Sequence, residues 1–244
     1  MRQSNSTRLP IQKETAAQST RKRDDLVQQT QSAKKKVDVT LVIDATASMG
    51  PYLMAIVAAL NFLIDCLVDS ALSVAIALVI FRDELTGQET RLYPVGTPPD
   101  ELKAVLHNTM PEDGGDEPES ALPAIHKALT LPGYRQGAQK VLLLITDAHC
   151  HMNEAGLVPG MITEELTKCN ALFFACAPDV PPYVEFVNAT HGTLFAIKPD
   201  LDADTFRSIL GALAAKTVKT IKMNEDLEVA RKFSDEIRKT IKLS

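Results

Sequence analysis

Cysteine is scarce in this sequence, and no apolar run is long enough to suggest a membrane span. The four cysteines, Cys66, Cys150, Cys169 and Cys176, are scattered and form no CxxC pair, which argues against a disulfide scaffold. We therefore expect reduced thiols and a cytoplasmic location. No stretch of about 18 uncharged apolar residues occurs, so no membrane span is expected. The first residues contain no apolar core and do not resemble a secretory signal.

Several motifs of nucleotide and acyl-transfer chemistry are also missing. The sequence has no G-x-x-x-x-G-K-[ST] phosphate loop and no G-x-G-x-x-G dinucleotide fingerprint. It has no G-x-S-x-G nucleophile elbow. These absences argue against the common nucleotide-dependent enzymes and against serine hydrolases of the α/β type.

The formal net charge of -5 conceals a division of charge along the chain. Residues 1–36 carry nine Lys and Arg against three Asp and Glu, a balance of +6. The other 208 residues therefore carry 26 - 9 = 17 basic and 31 - 3 = 28 acidic side chains, a balance of -11. Because an acidic body repels phosphate, we expect no nucleic-acid binding by the folded part of the chain.

Composition predicts three regions. Residues 1–36 are polar and basic, and cannot bury enough apolar surface to fold, so we predict a disordered tail. Residues 37–216 form the folded domain. Residues 217–244 contain Val229, Phe233, Ile237 and Ile241 at four-residue spacing, which predicts an amphipathic helix. That helix either packs on the domain or binds a partner or a second copy of the chain.

The domain alternates predicted strands with predicted helices. Strands are predicted at Val37–Ile43, Ser73–Phe81, Arg91–Val95, Gln139–Thr146, Ala171–Ala177 and Thr193–Ile197. Helices are predicted at Tyr52–Val68, Pro98–Thr109, Glu119–Leu129, Met161–Lys168, Pro182–Ala189 and Asp202–Lys216. Such alternation favours an α/β fold of the Rossmann-like, doubly wound kind, with a mainly parallel sheet covered by helices on both faces.

Two of the predicted strands end in aspartate. Asp44 follows the first strand and Asp147 follows the strand at Gln139–Thr146, so both fall at the carboxyl edge of the sheet, where such folds place their sites. Asp44 also begins the string Asp44-Ala45-Thr46-Ala47-Ser48, in which a carboxylate and two hydroxyls alternate. Carboxylate and hydroxyl oxygens suit a hard divalent ion such as Mg²⁺, Mn²⁺ or Ca²⁺.

These elements resemble the von Willebrand factor type A domain and its metal-ion-dependent adhesion site. The run VTLVIDATASMGPYL is similar to the first metal loop of that family, and LITD at 144–147 is similar to its third. The second loop is represented by GGDEPE at 114–119, a form seen in α-kinase-linked and hemicentin-like members. The resemblance covers roughly residues 36–216.

The resemblance implies a metal site and a binding function without catalysis. It implies that Asp44, Thr46, Ser48, Asp116 and Asp147 hold Mg²⁺, or Mn²⁺ or Ca²⁺, directly or through water. In the family a coordination position stays open for a partner protein, and the chain is expected to act as a scaffold or binding module. Asp116 departs from the family, which usually has threonine there, so the site carries a third carboxylate.

Three alternatives remain open from the sequence. His149, Cys150 and His151 follow Asp147 and offer nitrogen and sulfur ligands for Zn²⁺, although no fourth ligand is evident. An aspartate after the first strand also occurs in metal-dependent phosphatases, although these need a second Asp where this chain has Thr46. A metal-independent interaction protein acting through its terminal helix is the third alternative. Asp83 is expected either to join an acidic rim or to pair with Arg82 or Arg91.

Overall fold

The structure, a computed structural model, describes residues 36–68, 73–112 and 117–197, and further helical positions at 204–205, 208–209, 211–212, 215–216 and 219–220. The predicted tail before Lys36 and nearly all of the predicted helix within 217–244 lie outside the described residues. Asp116 also lies outside them.

The described strands form one six-stranded, mainly parallel sheet, which confirms the predicted fold class. The strand order is β3-β2-β1-β4-β5-β6, and only the β2–β3 pair is antiparallel. Strand β1 therefore lies in the middle, between β2 and β4. The strands are β1 (Lys36–Asp44), β2 (Ser73–Phe81), β3 (Arg91–Tyr93), β4 (Gln139–Ile145), β5 (Leu172–Ala177) and β6 (Thr193–Ala196).

The helices that connect the strands agree with the predictions to within a few residues. Prolines lie in the first turn of α2, α4 and α5, where a missing N–H costs no hydrogen bond. The first predicted helix differs, because residues 47–52 form a 3₁₀ helix that contains Pro51 before the α-helix begins. The α-helices are α1 (Leu53–Val68), α2 (Pro99–His107), α3 (Ala121–Thr130), α4 (Pro159–Lys168) and α5 (Pro181–Ala189).

Alternate residues of β1 pack into separate cores on the two faces of the sheet. Leu41 and Ile43 lie in one core with Ile56 of α1. Val42 lies in the other, with Ile125 of α3 and Tyr183 of α5. Because helices cover both faces, the strands are largely apolar on both sides. Polar chemistry is therefore expected at the ends of the strands.

The helical segment Ala47–Asp65 is long and apolar enough to span a membrane by length and composition alone. Ile56, Leu60 and Ile64 of this segment are buried against the sheet. The premise that the sequence contains no such apolar stretch was therefore wrong. The burial of these three residues is that of a core helix packed on the sheet.

A buried ion pair fixes the amino end of β1. Asp38 is fully buried and accepts hydrogen bonds from the Arg135 backbone N–H at 2.8 Å and from Arg135 Nε at 2.6 Å. The same guanidinium donates to the Val37 and Ser73 carbonyls at 2.9 and 2.7 Å. Arg135 thereby neutralises Asp38 and ties together the ends of β1 and β2.

Replacing Arg135 by methionine should lower the free energy of unfolding by about 3 kcal/mol, because it leaves Asp38 buried without its counter-charge. Urea denaturation followed by circular dichroism measures the loss. Lys168→Met is the control, since Lys168 and Glu164 form an exposed pair on one helix and should contribute less than about 0.5 kcal/mol. Equal losses in the two variants would contradict the assignment.

Candidate metal centre

The candidate site is built where the central strand β1 ends. Asp44 pairs in register with Phe81 of β2, and the ladder is extended by Ala45 N–H donating to the Phe81 carbonyl at 2.9 Å. Thr46 is still extended, with φ -69° and ψ 163°, before the chain turns into the 3₁₀ helix. Side chains at alternate positions of extended backbone share a side, so Asp44 and Thr46 lie together. The turn into the 3₁₀ helix then brings Ser48 beside Thr46.

Four of the five predicted ligands lie in one row of neighbouring oxygen atoms. Asp44 Oδ1 accepts from the Thr46 backbone N–H at 2.9 Å and from Thr46 Oγ1 at 2.7 Å. Thr46 Oγ1 lies 3.1 Å from Ser48 Oγ, and Ser48 Oγ donates to Asp147 Oδ1 at 3.0 Å. The structure thus brings Asp44, Thr46, Ser48 and Asp147 to one place, whereas Asp116, the fifth, lies outside the described residues.

The hydroxyl protons in this row point away from the gap between the hydroxyl oxygens. Each hydroxyl has one proton, and Thr46 gives its proton to Asp44 while Ser48 gives its proton to Asp147. The two oxygens therefore face each other with lone pairs. Neighbouring oxygens around an octahedral Mg²⁺ ion, bound at about 2.1 Å, are themselves about 3 Å apart. The 3.1 Å spacing of Thr46 Oγ1 and Ser48 Oγ matches that geometry.

Burial has raised the pKa of the carboxyl groups at this edge. Asp44 is fully buried, and desolvation raises its pKa to about 6 in spite of hydrogen bonds from Thr146 and Thr46. Burial also raises the pKa of Asp147, against a hydrogen bond from Ser48. Burial, followed by the charges of Asp44 and Asp83, raises the pKa of Glu119 to about 8. These shifts come chiefly from burial, which disfavours the charged form of each carboxyl, and neighbouring carboxylates add to them.

Thr146 and Tyr183 orient the third loop, and neither role was predicted from sequence. Thr146 Oγ1 donates to Asp44 Oδ2 at 2.6 Å and accepts from the Ala148 backbone N–H at 3.2 Å. Tyr183, which is fully buried in α5, donates its hydroxyl proton to the Ala148 carbonyl at 3.1 Å. The backbone on either side of Asp147 is therefore fixed from two directions.

Arg82 joins the first loop to the segment that leads into the second. It is buried just after β2, and its Nε donates to the Ala45 carbonyl at 3.0 Å. One of its terminal nitrogens donates to the Met110 carbonyl at 2.7 Å, and the Glu112 N–H donates to the same Ala45 carbonyl at 3.2 Å. This role of Arg82 was not predicted, because its hydrogen-bond acceptors are distant from it in sequence.

Asp83 belongs to a polar cluster beside the metal loops. It accepts from the Leu85 N–H at 3.0 Å and lies 3.3 Å from Ser120 Oγ and 3.5 Å from His151 Nε2. Ser120 Oγ in turn donates to Glu154 Oε1 at 2.6 Å. This environment places Asp83 among other acidic groups, as in the acidic-rim alternative.

The sequence matches the family model of the von Willebrand factor A domain over residues 38–171, more than half of the chain. The chain belongs to the von Willebrand factor A (VWA) domain family. Among curated proteins, none is significantly similar to it.

Solved structures share this VWA fold. The conserved hypothetical protein BatB from Bacteroides thetaiotaomicron has a TM-score of 0.56 at 14% identity, over 76% of this chain and 99% of BatB. A von Willebrand factor type A protein from Catenulispora acidiphila has a TM-score of 0.50 at 19% identity, over 73% and 42% of the two chains. Proximal thread matrix protein 1 from the mussel byssus, with a zinc-occupied MIDAS motif, has a TM-score of 0.55 at 14% identity, over 75% and 46%.

These identities show the fold alone. The VWA chain described here spans less than half the length of the Catenulispora and mussel proteins.

The His149-Cys150-His151 segment of this VWA domain does not have the arrangement of a zinc site. Cys150 is buried, and burial raises the pKa of its thiol to about 11, which disfavours the thiolate that zinc requires. His149 Nδ1 pairs with Glu117 at 3.0 Å, whereas His151 Nε2 faces Asp83. The two imidazoles thus have different partners.

Asp44, Thr46, Ser48 and Asp147 fit a divalent cation of the hard, oxygen-preferring kind. The donors are two carboxylates and two hydroxyls, and one buried oxygen nearby, Glu119 Oε2, has no hydrogen-bond partner among the described residues. Within the described part of the chain, no three His, Cys, Asp and Glu side chains are grouped to hold a metal. Asp44 and Asp147 are therefore too few to hold an ion alone, and a ligand set here also requires the hydroxyls of Thr46 and Ser48.

In the VWA domain stripped of divalent ions, Asp44→Asn should remove a pH dependence of the free energy of unfolding. The pKa of Asp44 is higher in the folded state, about 6, than its ordinary 3.8. The folded state therefore binds the proton more tightly, and this stabilisation, present below about pH 4, is lost as the pH rises through about 6. Between pH 4 and 7 the free energy of unfolding of the wild type, measured by urea titration, should fall by roughly 2 kcal/mol relative to that of Asp44→Asn.

The control is Asp179→Asn, an exposed aspartate in the loop after β5 at the same edge of the sheet. Its unfolding curve should follow that of the wild type at each pH. A constant difference between wild type and Asp44→Asn across this range would show that the pKa of Asp44 is not raised.

Proposed function

We propose that this VWA domain is a non-catalytic module that binds a partner protein through a divalent cation held by Asp44, Thr46, Ser48, Asp116 and Asp147. The observation that carries the proposal is the row of neighbouring oxygens from Asp44 through Thr46 and Ser48 to Asp147, which converge at the carboxyl edge of the sheet. The ion supplies a Lewis-acidic contact for a partner group. The free thiols of Cys150, Cys169 and Cys176 are in keeping with a cytoplasmic location.

The chemistry of the donors favours Mg²⁺, with Mn²⁺ and Ca²⁺ as alternatives. Every proposed ligand is a carboxylate or hydroxyl oxygen, and hard oxygen ligands select these ions. The zinc-occupied MIDAS motif of the mussel protein supports occupation of such a motif by a divalent ion in this fold. Zinc is therefore the ion to include as a comparison.

The protein residues have distinct parts in this proposed site. Asp44, Thr46, Ser48 and Asp147 bind the ion. Thr146 orients Asp44 by its hydrogen bond to Oδ2, and Arg82 holds the Ala45 carbonyl so that the first loop keeps its path. The loops thus need little rearrangement when the ion and a partner bind, which reduces the entropic cost of binding.

Exposed apolar side chains on the segments around the site favour a protein as the partner. Met54 lies at the start of α1, Leu85 follows β2, and Met152 follows the third loop. The carbonyl of Met110 accepts a hydrogen bond from Arg82, which also binds the first loop. All four are exposed and belong to segments at the carboxyl edge of the sheet. Flexible methionines around a polar point contact suit a protein interface.

We propose that the third carboxylate, Asp116, changes which chemical groups of a partner the site accepts. With Asp44, Asp116 and Asp147 around a 2+ ion the formal charge is 2 - 3 = -1, whereas the family's threonine would give 2 - 2 = 0. A negative site binds a cation more tightly and a carboxylate ligand less tightly. We assign the chain to the G-G-D-x-P-E subgroup on these residues at 114–119 and expect a partner with neutral or basic groups.

Partner capture should depend on both the ion and Asp44. A tagged full-length chain is mixed with native lysate in Mg²⁺ or in EDTA, and the wild type is compared with Asp44→Asn and with the exposed-edge control Asp179→Asn. We expect the wild type and the control to retain a band in Mg²⁺ that EDTA and Asp44→Asn both remove. Identical bands in all lanes would overturn the proposal.

Two further arms separate the other functions. Deletion of residues 223–244 should leave the Mg²⁺-dependent band in place. If the deletion removes the band while Asp44→Asn retains it, an interaction through the terminal helix is favoured. Turnover of a generic phosphoester that disappears in Asp44→Asn would favour a phosphatase.

Asp116→Thr should weaken Mg²⁺ binding, because it removes one of three carboxylates from the site. Isothermal titration with Mg²⁺ at low ionic strength measures the change, which we expect to be about tenfold or more, in line with the loss of a strong charge interaction near an ion. An affinity for Mg²⁺ that is equal or higher in Asp116→Thr would refute the role assigned to this aspartate.

A further inference from the structure

The outward side of α1 is apolar and exposed. Only Asp65 is charged among the 16 residues of this helix, so the helix is apolar on nearly every side. A helix of that composition is normally buried all round, yet only 44% of the apolar stretch that covers most of it is buried. Met54 and Phe62 are 70% and 58% exposed, and Ala58 is exposed between them. Because these three side chains recur every four residues, they form one apolar stripe along α1.

The part of this stripe away from the metal loops also carries a polar atom without a partner. Asn61, beside Phe62, has a buried amide oxygen that makes no hydrogen bond to the described residues. Buried polar groups in native proteins rarely lack a partner, which indicates that another segment completes this side of the helix. Asp65, one turn further, is 60% exposed and pairs with Lys103 of α2 at 2.5 Å. We call Ala58, Asn61, Phe62 and Asp65 the α1 face.

The described chain returns to this side of the sheet before it ends. Helical positions recur from Asp204 to Thr220, and Ile209 among them packs on the core that contains Ile56 of α1. They follow β6, which runs in the same direction as β1, so they lead, like α1, from the carboxyl edge of the sheet to its amino edge. The rise from Asp204 to Thr220 is about 24 Å, the length of α1. Thr220 and the Phe62 end of α1 therefore lie toward the same edge of the sheet.

The chain beyond Thr220 contains an apolar stripe of matching size. Residues 223–244 lie outside the described residues, and their sequence predicts an amphipathic helix. The stripe spans about 18 Å of helix and consists of Val229, Phe233, Ile237 and Ile241. An isolated helix in water is marginal, so such a segment takes most of its stability from packing its apolar side. The polar, basic residues 1–36 offer no comparable stripe.

We propose that residues 223–244 fold back as a helix onto the α1 face of the same chain, with their apolar stripe against Ala58 and Phe62. A short turn after Thr220 is enough to reverse the chain, as in other antiparallel helix pairs. The terminal helix is thereby an internal cover of the domain and not a partner-binding element. Met54, at the metal-loop end of α1, lies outside this contact and stays available to a partner.

Attachment at Thr220 favours this segment over a second copy of the chain. A segment tethered by a short linker next to its binding face has an effective concentration of about 1 mM or more. A second copy at micromolar concentration competes poorly with it. The fold-back contact therefore keeps the apolar α1 face away from self-association, and it does not involve the metal site.

Hydrogen exchange of the full-length chain, measured by mass spectrometry, tests the proposal. The synthetic peptide 223–244 is the reference for the undocked segment. We expect the amides of this segment to exchange at least about tenfold more slowly in the full chain than in the peptide. Phe62→Asp places a charge on the α1 face and should bring the exchange to within about twofold of that of the peptide. Because Phe62 is exposed, the domain itself should keep its unfolding curve.

Met161→Asp is the matched control. Met161 is 44% exposed on α4, whose neighbouring Ile162 packs in the core on the opposite face of the sheet. This variant also replaces an exposed apolar side chain by a charge, and it should leave the exchange of residues 223–244 within about twofold of the wild type. Equal losses of protection in Phe62→Asp and Met161→Asp would overturn the assignment to the α1 face.

Phe233→Asp tests the other side of the contact, beyond the domain, where the substitution cannot unfold it. It should remove the protection as Phe62→Asp does, and the double variant should exchange no faster than either single variant, since both break one contact. Losses that add would show that the two residues do not share a contact, and would refute the proposal.

Three further results would assign the α1 face differently and overturn the fold-back contact. Exchange of residues 223–244 as fast in the wild type as in the peptide would show that the segment does not dock. Protection that rises with protein concentration, together with a dimer in light scattering, would assign the face to a second copy. Protection of residues 1–34 that Phe62→Asp removes would assign it to the basic tail.

Discussion

Unbalanced negative charge at the end of the central strand is the constraint on which this site depends. Asp44 and Glu119 are both buried there, and burial raises the pKa of each carboxyl. A domain is stable by only about 5 to 15 kcal/mol, so it cannot bury such groups at no cost. The hydroxyls of Thr46 and Thr146 offset part of the cost for Asp44, and the proposed function assigns the remainder to a bound cation.

The order of the strands explains why the charge collects at this point. From β1 the chain passes to β2 on one side, and from the neighbouring strand β4 it passes to β5 on the other side, so the connections after β1 and β4 leave in opposite directions. The carboxyl ends of strands at such a reversal open a crevice that loops can line. The first loop follows β1 and the third loop follows β4, and hydrogen bonds from Thr146 and Ser48 join them across the crevice.

The sequence predicted the strands and the placement of Asp44 and Asp147, because β-branched runs that end in aspartate depend only on local pattern. It did not predict the 3₁₀ helix at Ala47–Tyr52, where Pro51 delays the α-helix. Nor did it indicate the role of Arg82, whose acceptors lie 37 and 28 residues away, or the burial of Glu119. Burial and partners of this kind arise from chain crossings that no local pattern encodes.

A comparison of the two ends of β1 supports a functional reason for the unbalanced charge. Asp38 and Asp44 are both fully buried on the same strand. At the amino end, the guanidinium of Arg135 neutralises Asp38 and binds the neighbouring carbonyls, which is a stabilising arrangement. At the carboxyl end, Asp44 receives hydrogen bonds from two threonine hydroxyls and one backbone amide. Hydroxyls satisfy lone pairs without cancelling charge, so this end of the strand keeps its attraction for a cation from solution.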